Sequence, residues 1–427
     1  MFKTLANAWK MPDIRKKILF TLLMLLIYRI GAYIPVPGVN VEFIASAVKD
    51  YDILGFLNLF SGGSLANMTI FALGIIPYIN ASIIMNLLTV AIPKLERLAK
   101  EGDDGRKKIA SITRILGVLL GLVQAIGILI SLTALAAQKG AAVVEPNATW
   151  FTYVTIVVCL TAGTALIMWI GERITEHGIG NGISLLIFIS IIARVPSMIL
   201  GMFDAVKAGQ SSFWSLILVA VIAFIIILGI TFVDLGERRI PVQYAKRVVG
   251  RKMYGGQSTH IPMKVNQSGV MPIIFAITIL QLPTMIAQFM PTSGFTTWYQ
   301  TYAGAGTILY GIVYALLILF FSYFYSQIAF NPVDVSKNLQ QNGGFIPGIR
   351  PGKPTSDYLA KILSRITLFG AIFLAIVAAV PTFFKLTTGI DGVFGATSLL
   401  IIVSVALETT KQLESQMMMR HYKGFLN

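Results

Sequence analysis

The chain of 427 residues is poor in the side chains that build metal sites and covalent cross-links. It contains one cysteine, Cys159, which excludes an intrachain disulfide and a cysteine-based metal cluster. The three histidines, at positions 177, 260 and 421, lie in different segments, and His177 does not stand at the spacing of a helix-borne zinc site from Glu172 or Glu176. The sequence therefore predicts no metal centre.

Charged residues are also scarce. They make up 12% of the chain, whereas hydrophobic residues make up 56%, and the mean hydropathy is +0.76. A soluble core cannot hide so much apolar surface, and the apolar residues cluster into runs long enough to cross a bilayer. We therefore predict an integral membrane protein with ten spans, over residues 18–36, 70–92, 111–136, 151–171, 183–203, 213–233, 269–290, 304–328, 364–384 and 393–408.

Basic residues are distributed unevenly between the loops. Most of the 34 Lys and Arg residues fall in the termini and in the loops that ten spans place on the same side. The opposite side holds five: Lys49, Lys139, Arg194, Lys207 and Lys385. By the positive-inside rule both termini are cytoplasmic, which accounts for most of the net charge of +15 without direct DNA binding. The first run lacks a cleavage site and is expected to remain as an anchor.

Ionisable side chains are nearly absent from the predicted spans, which contain essentially Arg29 alone. Coupled pumps and symporters need such groups at membrane depth, so their absence argues against a pump. Arg29 lies toward the outer end of its span and is expected to snorkel or to bind backbone carbonyls rather than to act in transport. Two glycine-rich stretches, 178–182 and 348–353, lack the flanking elements or the spacing of a nucleotide site. We expect no catalytic residue, no cofactor and no ATP hydrolysis by the chain itself.

The same Gly-apolar-apolar-Pro sequence opens two spans in opposite halves, at 74–77 and 269–272. Broken backbone is tolerated within a membrane only where protein or water satisfies its polar groups. Paired breaks therefore indicate a substrate path between two halves. We place these halves at 1–210 and 211–427.

The second hydrophobic region, 53–92, is longer than one span and is interrupted by the sequence SGGS at 61–64 and by Asn67. Residues 53–67 are too few to cross about 30 Å of hydrocarbon as a helix. We predict a short re-entrant piece within the protein, followed by a span. An ordinary amphipathic external loop is the alternative.

The cytoplasmic loop 234–266 has the pattern of a hairpin. Apolar and polar residues alternate around Ile240 and Val242, and a second run follows Gly255-Gly256, so a pair of protruding strands is predicted. Its basic residues form a cluster suited to phosphate or to an acidic protein surface. They are Arg238, Arg239, Lys246, Arg247, Arg251 and Lys252.

A second long cytoplasmic loop spans 331–362. It contains GGFIPGIRPG at 343–352, a segment rich in glycine and proline with Arg350 at its centre. Loops with such specific chemistry usually bind something. We interpret this loop as a second docking element.

The second span has an apolar face and two amides. Ile75, Ile79 and Ile83 share one face at helical spacing, while Asn80 and Asn86 carry amides that are costly in lipid unless they meet a partner helix or water. A ring of large aliphatic side chains can block ions by dewetting and still admit a wider object. Ordinary core packing of the isoleucines is the alternative, but the amides favour a helix contact that can open.

Several motifs together resemble one family. They are FSGG at 60–63, ALGIIPYINAS at 72–82, GERITEHGIGNGIS at 171–184, QSTHIPMKVN at 257–266, FNP at 330–332 and GGFIPGIRPG at 343–352. In this order they resemble the SecY family, the channel subunits of the bacterial protein translocase. The resemblance implies an all-α fold of ten transmembrane helices in two pseudo-symmetric five-helix halves around an hourglass pore.

The resemblance also implies roles for individual residues. The pore ring corresponds to Ile75, Ile79, Ile183, Ile187, Ile274 and Ile401. The plug, about 53–67, includes Phe60, Ser61, Gly62, Gly63, Ser64, Leu65 and Asn67. The lateral gate corresponds to Asn80, Ser82 and Asn86 facing Asn266 and Gln267. We therefore expect the re-entrant piece to close the pore and the second and seventh spans to part.

By the same resemblance, the chain is expected to translocate unfolded secretory preproteins across the bacterial plasma membrane. Their signal sequences would enter the gate, and apolar segments would pass sideways into membrane lipids. The implied partners are the small subunits SecE and SecG, and the SecA motor ATPase or a ribosome bound at Arg350 and the basic cluster. Relatives in the family often carry lysines where this chain has Gln340-Gln341. How much the charge of the loop 331–362 contributes to partner docking is therefore left open.

Two other classes of function are considered. A secondary transporter for a small solute also has inverted halves and broken helices, but the missing intramembrane charge argues against it. A scaffold that only gathers membrane partners would tolerate polar substitutions in the apolar ring.

Overall fold

The computed structural model of the chain describes residues 8–50, 54–55, 58, 61–144, 149–209, 213–244, 247–249, 252–254, 258–267, 269–290, 293–304, 307–388 and 396–423. Phe60, Lys246 and Arg251, which belong to the predicted plug and basic cluster, lie outside these residues. Helices dominate the described part of the chain, in agreement with the predicted all-α fold.

The first part of the chain is helical. It contains α1 (Pro12–Gly31), α2 (Val41–Asp50), α3 (Ile76–Ala91), α4 (Pro93–Lys100), α5 (Asp103–Lys139), α6 (Trp150–His177), α7 (Gly182–Ile192), α8 (Val195–Lys207) and α9 (Phe213–Leu235). Proline stands in the first turn of α1, α3, α4 and α8, where its missing N–H costs no hydrogen bond. The long helix α5 ends at Gly140, which adopts the left-handed conformation of a helix C-cap.

The second part of the chain combines helices with short strands. The strands are β1 (Glu237–Tyr244), β2 (Arg247–Val249), β3 (Lys252–Tyr254), β4 (Ser258–Lys264) and β5 (Gly344–Phe345). The helices are α10 (Met271–Phe289), α11 (Gly294–Trp298), α12 (Ile308–Ala329), α13 (Pro332–Gln341), α14 (Lys353–Thr388) and α15 (Ala396–Lys423), with a π-helical turn at Tyr299–Ala303.

The two Gly-apolar-apolar-Pro breaks have the same backbone geometry. Gly74 has a φ of 60° and Gly269 a φ of 61°, and each stands just before a helix, α3 or α10. These left-handed conformations favour glycine, because a Cβ would be strained there. The predicted span 70–92 is corrected accordingly: the chain turns through residues 61–75, and helix begins only at Ile76.

Six helical segments of the described chain are long and apolar enough to cross a membrane. They are Asp103–Ala137, Trp150–His177, Gly182–Asp204, Leu216–Leu235, Ile308–Gln341 and Lys353–Val380. A seventh candidate is the pair α3 and α4, which is bent by 101° at its break. The molecule is therefore a polytopic membrane protein, while the count of ten spans stays a prediction.

The predicted hairpin is confirmed. Strands β1 and β4 pair antiparallel, with Glu237 opposite Lys264 and Gln243 opposite Ser258, and β5 pairs with the other edge of β1. The sheet buries alternate side chains and leaves the basic ones exposed. Its buried residues pack with those of α13 and α14 in one core: Ile240, Val242, Met263, Leu339, Ile346, Leu359, Ile362 and Leu363.

By its internal packing the chain forms two compact units. The first unit comprises Met1–Phe213, Thr278–Ala305 and Val405–Asn427, and the second comprises Trp214–Ile277 and Gly306–Ser404. The predicted halves, 1–210 and 211–427, stay a prediction.

Glycines lie at several helix contacts of the first unit. A Cβ at Gly121 would lie 3.7 Å from the Pro77 side chain and one at Gly117 would lie 3.5 Å from the Tyr78 backbone, both ordinary contact distances, so α5 packs on α3 at these positions. A Cβ at Gly163 of α6 would lie 1.8 Å from the carbonyl oxygen of Ile70. Small residues at such contacts let membrane helices approach closely without a hydrophobic driving force between them.

In the second unit, α12 packs along α14. The hydroxyls of Ser326 and Thr367 lie 2.7 Å apart, both buried. Phe275 of α10 packs against the rings of Phe321 and Tyr325 of α12, at centroid distances of 5.3 Å and 4.9 Å. Interhelical hydroxyl pairs and aromatic contacts thus stabilise α10 and α14 on α12.

Candidate functional site

The loop 61–75, which contains most of the described plug residues, is packed inside the first unit. Ser61, Ser64 and Leu65 are fully buried, whereas Asn67 is exposed. The backbone N–H groups of Leu65 and Ala66 are bound by the Ser61 hydroxyl and the Asn58 side chain. The predicted interior piece is thus largely buried, with several backbone groups satisfied locally and the Ser64 hydroxyl without a partner among the described residues, while its role as a plug stays a prediction.

The loop 61–75 lies against α1 and α7. The Tyr28 hydroxyl lies 2.6 Å from the Ser190 hydroxyl, and the Tyr28 ring stacks on Phe71 with centroids 5.6 Å apart. Gly62 has a φ of 68°, and a Cβ there would lie 3.1 Å from the Cα of Ser190. These residues form a seat for the loop. Sequence reasoning missed Tyr28 and Ser190, because each reads locally as an unremarkable residue in an apolar run.

Helix α3 carries the predicted apolar face. Ile75, at its N-cap, and Ile79 and Ile83 within it are all buried in the first unit. Asn80 is also buried, and its Oδ1 has no hydrogen-bond partner among the described residues. Of the other predicted gate residues on this helix, Ser82 is half-buried and Asn86 is exposed. A buried acceptor without a partner is costly, and Asn80 is the one polar side chain on this face of α3, among the described residues, that retains an unused buried hydrogen-bond acceptor.

The motif GERITEHGIGNGIS forms the tight turn between α6 and α7. The Asn181 side chain caps α7 by accepting from the N–H groups of Ile183 and Ser184 at 3.1 Å and 3.4 Å. A Cβ at Gly182 would lie 1.9 Å from the Gly171 carbonyl oxygen, so only glycine permits this turn. The turn positions Ile183, which is half-buried, and Ile187, which is buried.

The remaining ring residues belong to the second unit. Ile274 lies in the first turns of α10 and is half-buried, and Ile401 of α15 is buried. The four ring residues Ile75, Ile79, Ile183 and Ile187 belong to the first unit. A single ring of all six stays a prediction.

The gate residues before α10 are tied into the second unit. Asn266 is 7% exposed, and its Nδ2 donates to Oδ1 of Asp234 at 2.8 Å. The side chain of Gln267 accepts from the backbone N–H of Lys264 at 3.2 Å. Sequence reasoning missed Asp234, although a carboxylate directly after a predicted span is a visible signal. The pairing of these residues with Asn80, Ser82 and Asn86 stays a prediction.

Four of the predicted docking residues lie on the hairpin strands. Arg238 and Arg239 are exposed on β1, and Arg239 is held by Glu237 at 2.7 Å. Arg247 and Lys252 lie on the short pair β2 and β3. The described members of the predicted cluster are therefore on strands, and the function of the cluster stays a prediction.

Arg350 stands on a rigid loop. Gly348 and Gly352 adopt left-handed conformations, with φ of 81° and 96°. The Ser336 hydroxyl donates to the Gly352 carbonyl at 2.7 Å, and the Thr355 hydroxyl donates to the Arg350 carbonyl at 2.8 Å. These bonds fix the backbone on both sides of Arg350 and leave its side chain exposed.

A family model described as SecY matches residues 69–410. The chain belongs to the SecY family. It is 46% identical over 439 residues to the protein translocase subunit SecY of Streptomyces galbus and 45% identical over 450 residues to that of Mycobacterium tuberculosis (strain H37Rv), with all of each chain covered. The family resemblance predicted from the motifs is confirmed.

Solved structures share the fold. A protein conducting channel aligns with a TM-score of 0.63 at 19% identity, covering 96% of both chains. A SecY protein studied for its plug domain aligns with a TM-score of 0.65 at 18% identity, and Sec61 in a canine ribosome-channel complex with 0.60 at 17%, each with 96% of both chains covered. The all-α polytopic fold is therefore established, and at these identities the likeness concerns the fold alone.

Proposed function

We propose that this chain forms a protein-conducting channel that passes unfolded secretory preproteins across the bacterial plasma membrane and releases apolar segments into the bilayer. The observation that carries the proposal is the full-length identity of 46% to translocase subunits named SecY. The buried loop 61–75 and the apolar face of α3 support it, because a channel for polypeptides needs a seal that small ions cannot cross.

The seal has two layers in this proposal. Isoleucines from α3, α7, α10 and α15 form a narrow apolar ring in which water is unfavourable, so ions are blocked by dewetting. The loop 61–75 closes one funnel of the channel from its seat on Tyr28 and Ser190. An extended polypeptide displaces the loop and fills the ring with its own atoms, which keeps the leak small during transport.

Lateral release follows from the cost of placing each side chain in hydrocarbon. Insertion scales give about +2.5 to +3.5 kcal/mol for Asp, Lys or Arg at a helix centre and roughly −0.3 to −0.6 kcal/mol for Leu or Phe. Summed over a span, these values separate membrane segments from secreted ones. The gate between α3 and the start of α10 only has to open often enough for each segment to equilibrate between the channel and the lipid.

The driving force comes from partners, since we assign no nucleotide site to the chain. We propose that the SecA motor or a translating ribosome binds at Arg350 and at the basic residues of the hairpin, and that SecE and SecG assemble with the channel. Structural neighbours support ribosome docking: they include Sec61 in a canine ribosome-channel complex and a yeast Ssh1 complex bound to the 80S ribosome. The hairpins and both termini then face the cytoplasm, and the chain itself catalyses no reaction.

The proposal can be tested by crosslinking a stalled secretory chain. The single native cysteine, Cys159, is replaced by serine, and one new cysteine is introduced in each variant. We expect Ile79→Cys to crosslink to the stalled chain. Phe232→Cys is the control, because Phe232 is 79% exposed on α9 and is expected to face lipid. Crosslinking at 232 equal to that at 79, or none at 79, would contradict the proposal.

A further inference from the structure

Asp234, the penultimate residue of α9, joins three elements of the second unit. Its Oδ1 accepts from the Asn266 side chain at 2.8 Å, and its Oδ2 accepts from the Ser404 hydroxyl of α15 at 2.5 Å. Asn266 and Ser404 are each 7% exposed. The bonds therefore link the end of α9, the segment before α10 and the N-terminal third of α15.

The backbone of the same segment is held next to Asp234. The N–H of Val265 donates to the Gly236 carbonyl at 2.9 Å. On the other side, Gly370 of α14 approaches so closely that a Cβ there would lie 2.7 Å from the Val265 carbonyl oxygen. Residues 264–267 are thus held by the end of α9 and approached closely by α14, while α15 is tied to the same carboxylate through Ser404.

This clamp on residues 264–267 ends just before the start of α10. Gly269, with a φ of 61°, stands between Asn266 and the first residue of α10, Met271. A left-handed glycine next to a fixed segment is a natural position for a change in helix direction. The orientation of α10 therefore depends on whether the clamp holds.

We propose that Asp234 is a positioning residue that anchors the start of α10 through Asn266 and Ser404 and so keeps the gate closed at rest. The inference rests on the proposed function, in which α10 is one side of the gate. A carboxylate suits the task because it only accepts hydrogen bonds, and bonds to a charged acceptor are stronger than neutral ones. Loss of the carboxylate also leaves the buried Asn266 amide without this acceptor, which shifts the equilibrium toward the open gate.

The test uses the full chain with its membrane partners, in cells that export two reporters. One reporter has an intact signal sequence and the other a signal sequence with a charge in its apolar core. We expect Asp234→Leu to raise export of the defective reporter on the order of tenfold, the effect of losing hydrogen bonds to a charged group. Export of the intact reporter stays near the wild-type level, whereas a folding defect would lower both.

Conservative variants separate hydrogen bonding from charge. Asp234→Asn retains an oxygen for the Asn266 amide and an NH₂ group that can donate to the Ser404 oxygen, so we expect nearly wild-type selectivity. Gly370→Ala displaces the same segment without touching the carboxylate and is expected to behave like Asp234→Leu. Asp204→Leu, at an exposed aspartate of α8, is the control and should resemble the wild type.

Three outcomes would overturn the anchor. Unchanged selectivity in Asp234→Leu, with Ile79→Asn relaxed in the same assay, would reject the anchor and leave the channel proposal standing. Relaxed selectivity in Asp234→Asn equal to that in Asp234→Leu would show that charge matters rather than hydrogen bonding. If Ile79→Asn and Asp234→Leu are both unchanged, the apolar ring of the proposed channel fails along with the anchor.

Discussion

At the scale of single residues, two glycines of the first unit leave room for a backbone carbonyl that a Cβ would displace. The absent Cβ of Gly163 leaves room for the Ile70 carbonyl, and that of Gly182 leaves room for the Gly171 carbonyl. Both neighbours are backbone atoms, which cannot rotate away as a side chain can. These two positions therefore fix how the loop 61–75 lies on α6 and how α7 follows α6.

Gly163→Ala is expected to destabilise the protein by about 1 to 3 kcal/mol, the usual cost of overpacking a close contact. The methyl group must displace the Ile70 carbonyl, which lies at 1.8 Å from the ideal Cβ position. The midpoint of thermal unfolding in detergent measures the effect.

The matched control is Gly201→Ala, at a helical glycine of α8 where a Cβ meets no atom within 4 Å. Alanine favours helix over glycine by roughly 0.5 to 1 kcal/mol, so this variant should be equal to the wild type or more stable. An equal loss of stability in both variants would show that the close contact at Gly163 is unimportant.

At the scale of elements, α3 combines an apolar face with a buried amide at Asn80. If the isoleucines form the seal, Ile79→Asn adds a hydrogen-bonding group to the ring and stabilises water there. We expect ion conductance of the resting channel in planar bilayers to increase, together with export of preproteins that have defective signals. Ile79→Leu retains volume and apolar character and should remain closed. A resting conductance of Ile79→Asn equal to that of the wild type counts against the ring.

The loop 343–352 is a second element with a separable role. Its backbone is fixed by bonds that do not involve the Arg350 side chain, so Arg350→Glu should preserve the fold and membrane insertion. We expect this variant to lose motor-driven translocation, because the central guanidinium of the docking loop becomes a carboxylate. In vitro translocation of a preprotein measures the loss.

The control for that experiment is Lys207→Glu, an equal charge reversal at an exposed lysine on the side predicted to lie opposite the docking loops. It should translocate normally. Normal transport by Arg350→Glu would remove Arg350 from the docking surface.

At the scale of the whole molecule, composition and hydrophobic periodicity were enough to predict a helical membrane protein. The strand alternation around Ile240 and Val242 also predicted the hairpin, because side-chain burial in a sheet follows a period of two. The motifs predicted the SecY family, which the match over residues 69–410 confirms. These features are local in sequence, so they can be read without coordinates.

The contacts that the sequence did not reveal are long-range or depend on backbone geometry. Tyr28 and Ser190 meet across 162 positions, and Asp234 and Ser404 across 170, and nothing near either pair marks its partner. The start of the second span was placed too early because residues 70–75 are mostly apolar, whereas the left-handed Gly74 delays the helix to Ile76. Hydropathy records apolar character and carries no information on φ.

The hydrogen bonds of the loop 61–75 have a consequence for how a channel could open. Many of its polar groups are satisfied within the loop and at Asn58: the Gly63 N–H binds the Asn58 carbonyl, and the Thr69 N–H binds the Ser64 carbonyl. Among the described residues, the bonds from the Val36 N–H to the Met68 carbonyl and from the Ile70 N–H to the Ile34 carbonyl tie the loop to its surroundings. If the loop is the plug of the proposed channel, we expect it to leave its seat as a folded body and to return without refolding.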